Sequence, residues 1–330
     1  MFVYLPAISN NDPLNTMKKN LLLMLMALSL ACFFTACGND DDDDREVVVV
    51  NEDGTTSNNS IFLRIDDNSF YLDYVKYAVN FNGNLKVTGY SEWQAKGVAN
   101  IYPRISVKDH IYDVTFIAND AFKNCSGLTS VTIPPTIREI GEGAFSCCSG
   151  LKSLFIPKSV DLIDQSAFSG CGGLESISVE EGNKKYDSRN NCNAIIETKN
   201  NSLCLGCKNT IIPDDTHSIL YEAFRGCSDM TSIAIPNSVT YIGQEAFKDC
   251  SGLTSITIPQ SVLEIDHTAF NGCNGLSSIH CQGEIPPNLG IHSVFENSLY
   301  SNATLFIPKG SLNAYKECPT WSPFKKIVEE

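Results

Sequence analysis

Positively charged residues are scarce in this sequence. Its 330 residues include 24 Lys and Arg against 38 Asp and Glu, which gives a formal net charge of −14. Nucleic-acid binding depends on clustered cations that neutralise phosphates, so this composition argues against DNA or RNA as a partner. The same excess of negative charge favours solubility.

The sequence also lacks the short motifs that carry hydrolytic and phosphate chemistry. No His-Glu-x-x-His, Gly-x-Ser-x-Gly or phosphate-binding loop occurs around its five histidines. These are His110, His217, His267, His280 and His292. The Cys-x-x-Cys pair of Cys204 and Cys207 has only Cys192 as a plausible third ligand, whereas zinc needs four ligands. We therefore predict that the chain is not an enzyme and uses no metal or cofactor.

The N-terminal apolar run is too short to span a bilayer. Lys18 and Lys19 precede about 14 apolar residues, Leu21 to Phe34, a length that suits the core of a signal peptide. A pair of small residues directly before Cys37 resembles a bacterial lipobox, which implies that the Cys37 thiol is lipidated. The alternative is an ordinary secretion signal followed by a chance cysteine. Residues 1–36 are thus predicted to be an upstream extension and a lipoprotein signal peptide.

A run of aspartates, Asp40 to Asp44, follows the predicted lipidation site. Such a run is typical of a solvated linker whose like charges repel one another, and we assign residues 37–59 to an acidic linker. An acidic cluster at this place also resembles the surface-export signal of Bacteroides-type lipoproteins. That resemblance implies a lipid-anchored protein of the outer membrane, exposed at the cell surface.

A repeat of 23 residues dominates the rest of the chain. Ala-Phe dipeptides recur at steps of 23 residues in two series of three, and a step of 56 residues separates the two series. The phenylalanines are Phe122, Phe145, Phe168, Phe224, Phe247 and Phe270. A fixed period of this size is typical of a solenoid, in which each block forms one turn and neighbouring turns share a core. The six rings are expected to form one internal column.

Each block follows one pattern. A short run of alternating β-branched residues predicts a strand. In four of the six blocks a proline then ends it, because proline cannot donate to a sheet ladder: Pro134, Pro157, Pro236 and Pro259. A cysteine follows each phenylalanine by three residues: Cys125, Cys148, Cys171, Cys227, Cys250 and Cys273. Equivalent side chains on parallel turns point the same way and do not face each other. We therefore predict reduced, buried thiols that pack as small apolar groups.

The 56-residue step is one repeat with 33 extra residues. Within it, Ala194 to Glu197 and Ser202 to Leu205 are strand-like on either side of a polar turn. This pattern predicts a β-hairpin that buds from the solenoid.

The segments "LTSVTIPPTIREIGEGAFSCCSG" and "LTSITIPQSVLEIDHTAFNGC" resemble the BspA-like branch of the leucine-rich-repeat superfamily, which is found on bacterial surface proteins. The likeness covers about Val114 to Cys281, and "YDSRNNCNAIIE" is similar to the extended repeat of that family. The resemblance implies a right-handed β-rich solenoid and a role in adhesion or in binding host ligands. It supplies no catalytic residues.

The predicted fold class is therefore mainly β. It is a right-handed leucine-rich-repeat solenoid of 23-residue turns, with an inserted β-hairpin and a cap at each end. Residues 60–113 are assigned to an N-terminal β cap, 114–283 to the solenoid and 284–330 to a C-terminal cap. Such caps are needed because the open ends of a solenoid are sheet edges.

One outward position varies from turn to turn while the core stays constant. It lies between the last two inward residues of each strand. The column consists of Thr132, Phe155, Ser178, Ala234, Thr257 and His280. Variation on a constant core is typical of a ligand-reading face, although weak constraint would also produce it. We expect host or extracellular-matrix proteins as partners, with Phe155 as an aromatic anchor. The alternatives are a glycan-binding accessory protein of the cell envelope and a structural envelope component.

Overall fold

The structure is a computed structural model that describes seven segments of the chain. These are residues 47–50, 56–57, 62–66, 69–91, 97–107, 110–289 and 293–330. The predicted signal peptide at 1–36, the predicted lipidation site Cys37 and the aspartate run lie outside the described residues, as does His292.

The described residues before the first regular turn form nine strands. They are Val47–Val50 (β1), Thr56–Ser57 (β2), Phe62–Asp66 (β3), Ser69–Leu72 (β4), Val75–Val79 (β5), Leu85–Tyr90 (β6), Val98–Asn100 (β7), Arg104–Val107 (β8) and His110–Ile117 (β9). Eight of them form a sheet in the order β2-β1-β8-β9-β6-β5-β4-β3. Alternation along β5 buries Val75 and Tyr77 completely, as expected for a sheet with one face on the core.

The sheet of this N-terminal cap passes directly into the solenoid. Phe116 and Ile117 of β9 pair in parallel with Glu139 and Ile140, which form β11. The strand β7 likewise pairs in parallel with Ser130–Thr132, which forms β10. The first turn therefore has hydrogen-bonded partners along two of its edges, which removes two open sheet edges.

The regular turns contribute two kinds of strand, a longer one of three or four residues and a short one of two residues. The longer strands after β10 are Ser153–Ile156 (β12), Ser176–Val179 (β14), Ser255–Ile258 (β20) and Ser278–Cys281 (β22). The short strands after β11 are Leu162–Ile163 (β13), Ser218–Ile219 (β18), Tyr241–Ile242 (β19), Glu264–Ile265 (β21) and Asn288–Leu289 (β23). Pairs such as Ser153–Ser176 and Ser255–Ser278 are parallel and lie one repeat apart. The predicted mainly β solenoid is thus confirmed.

The third part of each turn carries the Ala-Phe dipeptide. The Phe122 amide donates to the Ala144 carbonyl of the next turn at 2.7 Å, and Phe247 donates to Ala269 at 2.8 Å. These bonds hold successive turns one strand spacing apart, so their rings stack. All six phenylalanine side chains are buried, which contributes about 1.5–3 kcal/mol each.

The rings form two stacks instead of the single column expected from the repeat. Centroids of Phe122, Phe145 and Phe168 lie 4.8 and 5.2 Å apart in turn. The second stack contains Phe224, Phe247, Phe270 and Phe295, with centroid distances of 5.1, 5.2 and 5.5 Å. The inserted segment separates the two stacks, because its own turn contributes no phenylalanine at this level.

The column of cysteines has a hydrogen-bonding role that the sequence pattern did not predict. The thiol of Cys148 donates to the Phe122 carbonyl of the preceding turn at 3.0 Å, and Cys250 donates to Phe224 at 3.1 Å. Cys171 and Cys273 make equivalent bonds. All twelve cysteines in the described part of the chain are free of disulfides, and the six ladder thiols are buried.

The inserted segment lies within the solenoid and does not bud from it as expected. Its strands are Tyr186–Asp187 (β15), Ile195–Glu197 (β16) and Ser202–Leu205 (β17). The strands β16 and β17 form the predicted antiparallel hairpin, but β17 also pairs in parallel with β18 of the next turn. The hairpin thereby enters the ladder of short strands, and Ile195, Ile196 and Leu203 are fully buried.

A C-terminal cap closes the second stack. It comprises Asn297–Asn302 (α1), Thr304–Ile307 (β24), Leu312–Glu317 (α2) and Lys326–Glu329 (β25). The strand β24 pairs in parallel with β22 and β25. The rings of Trp321 and Phe324 meet Phe295 edge-on, and the Trp321 indole donates to the Pro287 carbonyl at 2.9 Å. In the described residues, neither helix has the length and apolar character needed to cross a membrane.

Candidate ligand-binding face

The longer strands present one side chain of each turn outward between two buried ones. In β12, Leu154 and Ile156 are at most 2% exposed, whereas Phe155 between them is 50% exposed. This arrangement follows from the alternation of side chains along a strand. Parallel pairing then places equivalent outward residues side by side, as with Phe155 and Ser178.

The structure brings most of the predicted face residues onto these strands. Thr132, Phe155, Ser178 and Thr257 lie on β10, β12, β14 and β20 and are exposed. Ala234 is also exposed, but the segment 231–236 around it is not a strand. The face is therefore interrupted where the chain leaves the insertion.

His280 is half-buried, unlike the other members of the column. Its ring stacks on Phe306 with centroids 4.4 Å apart and planes within 4°. Its Nδ1 atom lies 2.9 Å from a carboxylate oxygen of Glu330. Both contacts come from the C-terminal cap, so His280 is positioned by residues distant in sequence.

The outward column continues beyond the six predicted positions. His280 is in register with Phe306 of β24, and Phe306 is in register with Val328 of β25. Sequence reasoning missed Phe306 as a face residue, although a signal was present. Residues 153–158 read Ser-Leu-Phe-Ile-Pro-Lys and residues 304–309 read Thr-Leu-Phe-Ile-Pro-Lys, which makes Phe306 the counterpart of Phe155.

The chemistry of this column is apolar and hydroxylic. None of the residues along it from Thr132 to Val328 has a carboxylate, ammonium or guanidinium group, and the serines two positions earlier, such as Ser153, point to the same side. Charges lie beside the column and are paired: Lys208 contacts Glu175 at 3.0 Å and Asp229 at 3.9 Å. The hydrogen bond from Lys208 lowers the pKa of Glu175. Such a face can hold a partner through aromatic contact and hydroxyl hydrogen bonds.

Groups for metal chemistry are not gathered on this face or elsewhere in the described residues, since no three His, Cys, Asp or Glu side chains there could hold an ion together. The Cys-x-x-Cys thiols instead donate to nearby carbonyls: Cys204 to Ser202 at 3.6 Å and Cys207 to Asn193 at 3.6 Å. Burial raises the pKa of Cys204 to about 12, which keeps its thiol protonated at neutral pH.

The comparisons with known proteins agree with this architecture. The family described as BspA type leucine rich repeat region matches six copies over residues 104–202 and 194–318. No curated protein sequence matches the chain.

Several solved structures are similar in fold. A leucine-rich repeat protein from Bacteroides ovatus is 23% identical, with 81% of this chain and 79% of that chain covered and a TM-score of 0.39. One from Eubacterium ventriosum is 17% identical, with coverages of 82% and 84% and a TM-score of 0.45. The pneumococcal vaccine antigen PcpA is 16% identical, with coverages of 82% and 98% and a TM-score of 0.41.

Proposed function

Because this chain belongs to the BspA-type leucine-rich repeat family, we propose that it is a non-enzymatic surface lipoprotein that binds host or extracellular-matrix proteins. The exposed column of the longer strands is the proposed contact surface. The protein would act as an adhesin, held to the outer membrane by a lipid on Cys37.

One observation carries the proposed binding role. The core positions of the turns are nearly constant, whereas the outward column changes from Thr132 to Phe155 to Ser178 across three successive turns. An aromatic side chain that is 50% exposed within such a column is the kind of residue that dominates protein interfaces.

The proposed location is supported by the N-terminal sequence. A short apolar core behind two lysines, small residues before Cys37 and the aspartate run together fit a lipid-anchored, exported chain. Mass spectrometry of the membrane-extracted protein tests this proposal. A diacylglyceryl-modified Cys37 at the N-terminus supports it, and an N-terminus elsewhere or an unmodified cysteine refutes it.

The binding role is tested by titrating the purified mature chain against a panel of matrix proteins and mucins. We expect Phe155→Ala to weaken capture of the protein ligand by about 30-fold, because an anchor residue contributes about 2 kcal/mol or more. Phe81→Ala is the matched control, since Phe81 is fully exposed at the tip of the β5–β6 hairpin, away from the column. Equal losses in both variants, or none in Phe155→Ala, would refute the proposed face.

Glycan binding is the second candidate, and the C-terminal end of the column favours it. There the stacked rings of His280 and Phe306 lie next to the Glu330 carboxylate, a combination of aromatic and acidic groups that suits a sugar. A glycan array distinguishes the two functions. Glycan binding that Phe306→Ala abolishes, with no protein captured, would replace the first proposal by the second.

A further inference from the structure

The inserted turn carries a glycine where every regular turn carries a stacked phenylalanine. The amide of Gly206 donates to the Ala223 carbonyl of the next turn at 2.8 Å. This is the same bond that joins Phe224 to Ala246 at 2.7 Å and Phe247 to Ala269 at 2.8 Å. Gly206 therefore occupies the phenylalanine position of its turn, and one ring is missing between the two stacks.

Only glycine fits at this position. A Cβ atom on residue 206 would lie 2.1 Å from ring atom Cε1 of Phe224, so the first ring of the second stack packs against the bare backbone. On the other side, Phe168 ends the first stack. One of its faces covers Phe145 at a centroid distance of 5.2 Å, and no ring within the described residues stacks on the other.

A cavity of about 200 Å³ lies beside Phe168 at this discontinuity. Ile195 and Leu205 of the inserted hairpin and Tyr186 of β15 contribute to its wall. An apolar cavity of about 150 Å³ accommodates benzene. The space here is therefore sufficient for one six-membered ring with a short substituent, and too small for a folded peptide segment.

The charged groups of this cavity wall are all acidic. They are Asp164, Glu197 and Glu222. Glu222 pairs with Arg225, which also lies 3.1 Å from Glu245. Asn200 donates to Glu197 at 3.1 Å, but no ion pair between residues that the structure describes involves Asp164 or Glu197.

Asp164 and Glu197, the two carboxylates without an ion pair among the described residues, lie near the same residue of the cavity wall. Tyr186, whose hydroxyl accepts a hydrogen bond from the Ile163 amide at 3.0 Å, is close to both of them. Burial raises the pKa of Tyr186, and the charges of Glu197 and Asp164 raise it further. A cation held here would be attracted by two carboxylates in a partly desolvated setting.

We propose that this cavity binds a small aromatic cation of the arylalkylamine class. The ring of the ligand lies in the cavity beside Phe168, at the level where the phenylalanine series is interrupted. Its ammonium group is attracted by the carboxylates of both Asp164 and Glu197. This site is separate from the exposed strand column, so it would give the protein a small-molecule ligand in addition to its protein partner.

Isothermal titration of the purified mature chain with phenethylamine tests the proposal. We expect a dissociation constant on the order of 100 μM, which is reasonable for a ligand of this size. Phenylacetate has the same ring with the opposite charge, and butylamine has the charge without the ring. Both should bind at least about tenfold more weakly, because each retains only one of the two interactions.

Paired charge variants identify the site. Asp164→Asn with Glu197→Gln should weaken phenethylamine binding by about tenfold or more, while preserving the shapes of both side chains. The matched control is Glu139→Gln with Glu264→Gln, which removes two carboxylates from the short strands of other turns. Phe155→Ala should leave amine binding unchanged, so the adhesin proposal and this one fail separately. No binding at about 10 mM amine, equal binding of phenylacetate, or equal losses in both double variants would overturn the site.

Discussion

Phe247→Ala truncates a central ring of the second stack, and the resulting loss in the free energy of unfolding can be worked out from the contacts of that ring. Phe247 is fully buried and lies between Phe224 at 5.1 Å and Phe270 at 5.2 Å. Phe247→Ala removes the buried ring and leaves a cavity, which costs about 3–5 kcal/mol. It also removes two ring pairs, each of which contributes about 0.5–1.5 kcal/mol, so we expect a loss near the upper end of that range.

The comparison with Phe168→Ala sharpens this prediction. Phe168 is also buried, but it has one stacked neighbour and lies beside an existing cavity. Its truncation should cost about 3 kcal/mol, at the lower end of the same range. Urea unfolding followed by far-ultraviolet circular dichroism measures both losses, with Phe81→Ala expected within about 0.5 kcal/mol of wild type. Equal or inverted losses for the two buried rings would refute the reasoning from stacking.

Three further predictions concern the thiols, a charge cluster and a half-buried tyrosine. Cys250→Ala should destabilise the chain by about 1–2 kcal/mol in urea, through loss of its hydrogen bond and packing; wild-type stability would refute this role. Arg225→Gln should cost about 3 kcal/mol because it leaves the buried Glu222 carboxylate without a counter-charge, whereas Glu245 keeps Lys248 at 3.0 Å. A loss below about 0.5 kcal/mol would show that the Arg225–Glu222 pair behaves like a surface ion pair. Burial first, then the hydrogen bond to Asp266, raises the pKa of Tyr241 to about 12. Since its unfolded pKa is about 10, stability should fall as the pH rises from about 10 to 12, and Tyr241→Phe should flatten that fall.

The periodic part of the fold could be predicted because its constraints are local and repeated. A phenylalanine every 23 residues and a proline after most of the longer strands fix the positions of the turns, and parallel pairing follows from that spacing. The exposure of Phe155 follows from alternation within one strand. These inferences need no knowledge of residues far away in the chain.

The inserted turn could not be placed in the same way. The pattern at Ile195–Glu197 and Ser202–Leu205 predicts a hairpin equally well whether it lies outside the solenoid or within its sheet. Its integration depends on the parallel pairing of β17 with β18 and on the contact of Gly206 with Phe224, which no local pattern reveals. The split of the phenylalanine column into two stacks has the same origin.

The C-terminal end of the proposed binding face could not be predicted either, because its contacts come from residues that are distant in the sequence. The repeat pattern predicts that His280 is exposed like Thr257, but Phe306 and Glu330 from the cap cover part of it. The spacing of the repeat changes before β24, so the period alone does not align Phe306 with Phe155. Only the shared Leu-Phe-Ile-Pro-Lys segment indicates their equivalence.

Double-mutant cycles on the phenylalanine rings test most directly whether successive turns share one core that the inserted turn interrupts. Phe145→Ala combined with Phe168→Ala should show a coupling energy of about 0.5–1.5 kcal/mol, because the two rings stack. Phe168→Ala combined with Phe224→Ala, which spans the Gly206 turn, should be additive within about 0.5 kcal/mol. Additive losses in the first pair, or strong coupling in the second, would contradict the account.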